Sequence, residues 1–437
     1  MTAAGFMQQT SENISAQPWL AGAAALTSDG APAWVRALRE TAQESFLQTG
    51  LPTNAWEGWQ HFNLRAVAAQ TFRYAAAPAV FDAAKLPAPL LADAGRIVMV
   101  NGRYQPELSK LPAGVTVVGL MDAAQKNVVG LEEYLVNAGD FADAPFMALN
   151  AAHLRDGMIL TVGKGKTIDQ PVEVLFYNTG RADQAPAIYP RVLYWLGQGA
   201  QLNIVERHMG DGVYFANSHM SIVTEQAARM GYYRFEEESA DAFHFSTTTL
   251  RQEKDSHFEC FAYAAGGRVA REEFRNLLID SGICSSISGV YLLKKQQNHD
   301  FTILMDHFEP NGKSVQHLRG VIDDQARSVF QGKIQVRRPA QKTDGNQSSH
   351  ALLLSDQAEA SFKPELEIYA DDVKCTHGAT SGRLDANALF YLRSRGIPEH
   401  EARGLLIQSF LGETLGGVSF APVAELYAEK IAAWLSR

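Results

Sequence analysis

A chain of 437 residues, 46% apolar and 20% charged, can bury sizeable cores and is long enough for two or three domains. Its 39 Lys and Arg against 48 Asp and Glu leave a net charge of −9, which argues against nucleic-acid binding, since that needs a basic surface. Three cysteines, Cys260, Cys284 and Cys375, form no CxxC pair. That excludes an autonomous four-cysteine metal site, and an odd, sparse count fits a reducing compartment better than a disulfide framework.

Met1 to Gly30 carries no Lys or Arg, whereas a secretory signal begins with a positive segment. No apolar run approaches the length that spans a bilayer. The expectation is a cytoplasmic protein away from membranes. Residues 1–150 read as a mixed, helix-led region. Trp34, Leu38, Ala42 and Phe46 recur at helical spacing between Pro32 and Gly50, and Gly50-Leu51-Pro52 is a stop signal. Trp56, Trp59 and Phe62 form an aromatic cluster, and Arg96 to Asn101 reads as a strand entering a turn at Gly102.

Residues 151–380 change to short runs rich in Val, Ile, Tyr, Phe and Leu, punctuated by Gly, Asp and Asn. Examples are Met158–Val162, Val172–Tyr177, Val192–Leu196, Gln201–Val205, Met230–Phe235, Ser288–Leu293 and Leu366–Tyr369. Turn-like clusters starting at Gly199, Ala227 and Asp255 stand 28 residues apart, but those at Gly312, Asp324 and Asp356 break the period. Loose strand–turn repetition without helices suggests a β-solenoid, with a β-sandwich as the competitor. Residues 381–437 read as helical. Asp385 caps a helix through Arg395, Gly396 stops it and Pro398 opens the next, ending near Gly412. Val423, Leu426, Tyr427, Ile431 and Trp434 then stripe a last helix for packing on this chain or a partner.

Several motifs fail on their chemistry. Gly163-Lys-Gly-Lys-Thr167 ends like a phosphate loop, but Leu160 stands where that cradle needs glycine, leaving a turn with solvated lysines. His400-Glu401 starts a zinc-protease pattern without its second histidine, and no Gly-x-Ser-x-Gly elbow exists. His208, His219, His244 and His257 would make a metal site if neighbouring strands gathered them; otherwise they are surface or satisfied core residues, the reading favoured here. Cys260 and Cys284, among apolar neighbours, read as buried thiols.

The most distinctive chemistry is Asp371-Asp372-Val-Lys-Cys375-Thr-His377-Gly378. In a strand, residues two apart share a face, so Cys375 and His377 present sulfur and imidazole side by side, and Lys374 would favour the thiolate. Two such ligands make half a site for iron or zinc. The alternative is a small buried thiol beside a hydrogen-bonded histidine.

The runs Arg319–Lys333, Gln341–Ser349, Leu352–Asp356, Leu366–Thr380 and Phe390–Ile397 closely resemble the SufB/SufD scaffold family of iron–sulfur cluster assembly. Gly50–Thr53 and Val100–Tyr104 resemble its SufD branch in particular. The resemblance implies a mainly β chain, a right-handed parallel β-helix core with helical N- and C-terminal regions. It implies a non-catalytic subunit of the SufBCD complex that pairs with SufB and binds the SufC ATPase. The apolar stripes of the helices after Gly382 suit them to dock SufC, and whether the isolated chain forms a homodimer is left open by the sequence. A nascent iron–sulfur cluster would be shared transiently with SufB, reduced flavin on the complex would supply electrons, and His377 with Cys375 would contribute at the interface. SufB-like chains carry an essential cysteine where this chain has Ala358 and a glutamate where it has Gly378, so independent cluster building is not expected. The competing readings are a β-helix enzyme, such as a polysaccharide lyase or a metal-dependent isomerase, and a purely structural partner with Cys375 and His377 both in the core.

Overall fold

The computed structural model of the protein describes residues 16–26, 30–74, 81–128, 130–136 and 141–436. The stretch 1–15, half of the segment read above as lacking a signal, lies outside them. From Gly157 onward the chain alternates between two sheets, one of 11 strands and one of 10. Each strand runs parallel to the strand one coil earlier: Tyr232, for example, pairs with Ile204 on one side and Cys260 on the other. The result is a parallel β-solenoid of about seven turns, flanked by helices at both ends of the chain. Sandwich sheets are antiparallel, so this pairing removes the sandwich reading.

The turns explain the broken period. Gly199, Ala227, Asp255, Gly282, Asn311 and Lys342 sit in successive coils at one edge, all with φ between 56° and 74°. The Ala227 N–H donates to Lys254 O at 2.9 Å, and the Asp255 N–H to Ser281 O at 3.0 Å, so each turn is tied to the next. The 28-residue spacing is therefore one coil. The clusters at Asp324 and Asp356 turn the chain at the opposite edge, which is why they fall out of phase with Gly312.

Side chains pointing inward from both sheets make one core, including Met158, Val174, Tyr194, Ile204, Met220, Tyr232, Ile287 and Phe330. The outer face of the larger sheet is covered by the N-terminal region. Phe215, Phe243 and Phe245 meet Phe46 and Phe62, from and just beyond the helix Ala33–Thr49, and Phe146 from the helix Pro145–Ala152. The outer face of the other sheet is covered by the C-terminal helices Glu399–Leu415 and Ala421–Leu435, through Ile407, Leu411, Val423, Tyr427 and Ile431. Strands buried on both faces read as continuous apolar runs, which is why the central coils were visible in the sequence. No helix among the described residues is long and apolar enough to cross a membrane.

The two ends of the solenoid differ. At the N-terminal end, one sheet finishes on Val115–Gly119, antiparallel to Gly157–Val162, and the other on the two-residue strand Arg103–Tyr104, antiparallel to Gly95–Val100. At the C-terminal end the last strands, Glu359–Ile368 and Lys374–Gly382, have no strand beyond them among the described residues.

Burial pushes His153, His299 and His307 down to about 4. Each stays neutral in the fold while its unfolded counterpart protonates near pH 6.5, so unfolding takes up protons in that window. This contribution to stability is complete above pH 6.5 and is lost as pH falls toward 4, at up to about 3 kcal/mol per group. The urea midpoint should hold near neutrality and drop between pH 6.5 and 4; a flat midpoint across that range would refute the effect.

Candidate functional site

The last strand of the smaller sheet, Lys374–Gly382, carries the predicted pair. It pairs residue for residue with Asp344–Leu353, setting Cys375 over Gly345, His377 over Gln347 and Ala379 over Ser349. Gly345, Gln347 and Ser349 are buried and face inward, so Cys375, His377 and Ala379 face the solenoid interior at its uncovered end. Cys375 is half-buried against the core, its sulfur close to the Gly345 backbone, while His377 is exposed. Beneath His377, Gln347 donates to Gln316 Oε1 at 2.8 Å, so a polar column leads from the open end into the coils below.

Lys374 does not act as expected. It lies on the opposite face of the strand from Cys375, and burial, with Asp344 nearby, pushes the thiol up. The reading in which both residues are core also fails, because His377 is exposed and its ring makes no hydrogen bond among the described residues. Ala358 packs in the core and offers no ligand, and Gly378 is exposed with open space where a side chain would start.

The two free edges at this end differ. Glu359 N–H and Tyr369 N–H donate back to the previous coil, so by the alternation of a parallel ladder the even-numbered residues between them face outward. Pro364 is one of these and has no N–H to offer, which blunts that edge. On the other edge Lys374 N–H points back to Thr343 O, leaving the backbone of Cys375, His377 and Ala379 facing outward and able to pair with another strand.

Other predicted site residues lie elsewhere. His257 is exposed, and His219 is buried, its Nε2 3.3 Å from Thr249 Oγ1 and held well down by burial and by Arg191 and Arg275. His208 and His244, which the sequence reading left as separate residues, face each other across the interior with ring centroids 4.9 Å apart. They belong to a buried charged network. Arg234 pairs with Glu206 at 3.3 Å and with Glu272, His208 pairs with Glu206 at 2.7 Å, and His244 with Glu238 at 3.2 Å. Burial opposes the charge on His244, but Glu238 and Glu272 outweigh it and push the imidazole up; burial alone dominates for Glu236, which is pushed up to about 8. Cys260 is a buried thiol as expected, but Cys284 faces outward at a strand start and is half-buried. All three cysteines are free.

At the C-terminus the last helix spends its stripe on this chain. Val423, Tyr427 and Ile431 are buried against the solenoid. The helix Ala386–Ser394, capped by the Asp385 side chain on Asn387 N–H at 2.8 Å, buries no residue, and Phe390 and Tyr391 are 73% and 57% exposed. The most exposed apolar side chains of this region therefore lie on the first of its helices, with Leu405 of the second 47% exposed.

Fold and site define a class: a helix-flanked parallel β-solenoid whose last coil is left open, with a thiol and an imidazole on its inner face. Comparison with known proteins gives that class its family. Residues 177–410 match the SufBD core domain of the SUF system for FeS cluster assembly, and residues 20–174 match the SufBD protein N-terminal region. An iron–sulfur cluster assembly SufBD family protein of Synechocystis is 31% identical over 401 residues, covering 88% of this chain and 87% of its own. The iron–sulfur cluster assembly protein SufD of Escherichia coli is 29% identical over 381 residues, 85% and 86% of the two chains. SufD of Bacillus subtilis is 28% identical over 306 residues, 68% and 69% of the two. The chain belongs to the SufBD family of iron–sulfur cluster assembly proteins.

Proposed function

We propose that the chain is a SufD-type, non-catalytic subunit that pairs through its open end with a SufB-type chain in the cytoplasm. In this reading His377 and Cys375 contribute half of a shared site for the nascent cluster, which is cargo and not a resident cofactor. The observation that carries the reading is the uncovered last strand, with both side chains on its inner face and backbone groups free along its edge. One thiol and one imidazole are too few to hold a cluster, and Ala358 and Gly378 add no ligand, so the site calls for a second chain. A SufC-type ATPase docks on the helix Ala386–Ser394, where Phe390 and Tyr391 suit a groove on a partner. Hydrolysis then moves the paired subunits as rigid bodies and opens the shared site. Electrons reach it from reduced flavin on the complex.

The test is co-expression with SufB- and SufC-type partners, followed by light scattering and by iron and sulfide analysis after anaerobic reconstitution. Because His377 is exposed, His377→Ala should leave the fold within about 0.5 kcal/mol and the complex intact, while cluster content falls at least about tenfold by loss of a ligand. Phe390→Asp should instead release the ATPase and spare the SufB-type contact. Unchanged cluster content in His377→Ala would overturn the shared site, and a purified chain that stays a homodimer beside its partner would overturn the pairing.

A further inference from the structure

The solenoid interior is apolar over most of its length but charged at the edge where strands of the smaller sheet cross to the larger. His208 lies near the end of Gln201–Gly212, Glu238 follows Arg229–Glu237, and His244 is the second residue of Phe243–Gln252. All three are buried, and one ligating atom of each lies within 4.8 Å of the others. Glu238 and His244 flank one crossing between the sheets, and the stacking of coils brings His208 to them.

We propose that His208, Glu238 and His244 bind one divalent transition metal ion of borderline softness, such as Zn2+ or Fe2+, at a site distinct from the open end. Two imidazoles and a carboxylate are the donor set such ions take, with further positions open to water. Around a tetrahedral ion with bonds of about 2.0 Å the donors stand roughly 3.3 Å apart. Glu238 Oε1 and His244 Nδ1 are already 3.2 Å apart, and the His208 donor lies within 4.8 Å of both, so closure needs His208 to move inward.

His208 has the surroundings of a metal-bound imidazole, whose second nitrogen is held by a carboxylate that is not itself a ligand. His208 turns Nε2 to Glu206 Oε1 at 2.7 Å. His244 holds Nε2 3.5 Å from Glu272 Oε1, too far for a hydrogen bond, and that buried nitrogen has no hydrogen-bond partner. His208 is further fixed by stacking on Phe176 at 4.5 Å, with the planes 4° apart. Tyr214 Oη donates to the other oxygen of Glu238, orienting it toward the imidazole.

A cavity lies close by. Glu238 also lines a cavity of about 850 Å³ between the solenoid and the last helix, with Glu237, Tyr263, Lys294, Lys430 and Trp434 around it. The Glu238 carboxylate itself is buried beneath this cavity, whereas the Cys375–His377 end lies on the terminal coil, beyond the intervening strands. The donor set contains no sulfur, so it suits a single ion and not a cluster.

The full-length chain, stripped by chelation and titrated with Co2+, should bind one ion per chain with d–d absorption and no thiolate charge-transfer band. X-ray absorption of the Zn2+-loaded chain should show two imidazoles with oxygen and no sulfur. Glu238→Gln should weaken Co2+ binding roughly tenfold or more, and Cys375→Ser and His377→Ala should leave it unchanged, which separates this site from the proposed shared one. Absence of stoichiometric Co2+ binding, a thiolate band lost in Cys375→Ser, or unaltered affinity in a folded Glu238→Gln chain would overturn the proposal. If circular dichroism shows Glu238→Gln unfolded, the wild-type absorption spectrum decides: sulfur in the shell, or fewer than two imidazoles, refutes the site.

Discussion

Replacing Arg234 by Met is expected to destabilise the chain by about 3–5 kcal/mol, the loss that follows when one member of a buried ion pair is removed. Arg234 is fully buried and lies between Glu206 and Glu272, while its Nη2 donates to Ser246 Oγ at 3.1 Å. Without the guanidinium, Glu206 and Glu272 are left in the solenoid interior, opposed chiefly by His244. The carboxyl of Glu272, which Arg234 and His244 hold down against the effect of burial, would rise and take up a proton. The cost is that of orphaned charges, so the triple change Arg234→Met, Glu206→Gln, Glu272→Gln should recover part of it. Chemical denaturation of the two variants beside the parent chain checks this. A loss below about 1 kcal/mol in Arg234→Met would show that the network is worth no more than a surface pair.

Tyr427→Ala should cost a similar amount, about 3–5 kcal/mol for a large buried aromatic side chain, and should act locally. The ring stacks on Phe235 with centroids 4.4 Å apart and meets Phe261 at 4.4 Å, and its hydroxyl donates to Phe261 O at 2.7 Å. Those contacts are the centre of the patch that holds the last helix on the sheet. The variant should therefore expose the helix Ala421–Leu435 before the solenoid melts, seen as faster proteolysis in the Gly416–Phe420 linker at temperatures where the strands are intact. Tyr427→Phe keeps the stacking and should lose only about 1 kcal/mol. Equal losses in the two variants would refute the packing account.

Much of the fold was legible because its middle is buried twice over. Runs such as Val192–Leu196 and Ser288–Leu293 are apolar on both faces, one side meeting the interior and the other a covering helix or the neighbouring cluster. The later strands were harder to see. Lys313–Ile322 and Asp344–Leu353 turn Ser314, Gln316, Gln347 and Ser349 inward, so polar residues sit where alternation predicts apolar ones. The Cys375–His377 pair was visible because a strand's period of two is local. The approach of His208 to His244 was not, since it depends on the chain crossing from one sheet to the other more than a coil later. The stripe on the last helix was read correctly, but only packing could show that this chain uses it and that Phe390 and Tyr391 are the residues left over.

The unlike ends of the solenoid carry a consequence for stoichiometry. A rod with two adhesive ends adds units without limit and forms filaments. Here the N-terminal end is finished by short reversed strands, among them the two-residue strand Arg103–Tyr104, which offer little to a newcomer. Growth can therefore proceed in one direction only, and a like end meeting the open end consumes the last long edge of both molecules. The proposed pairing would then be self-terminating at two solenoids, with the count of scaffold chains written into where the strands run antiparallel and where they stop.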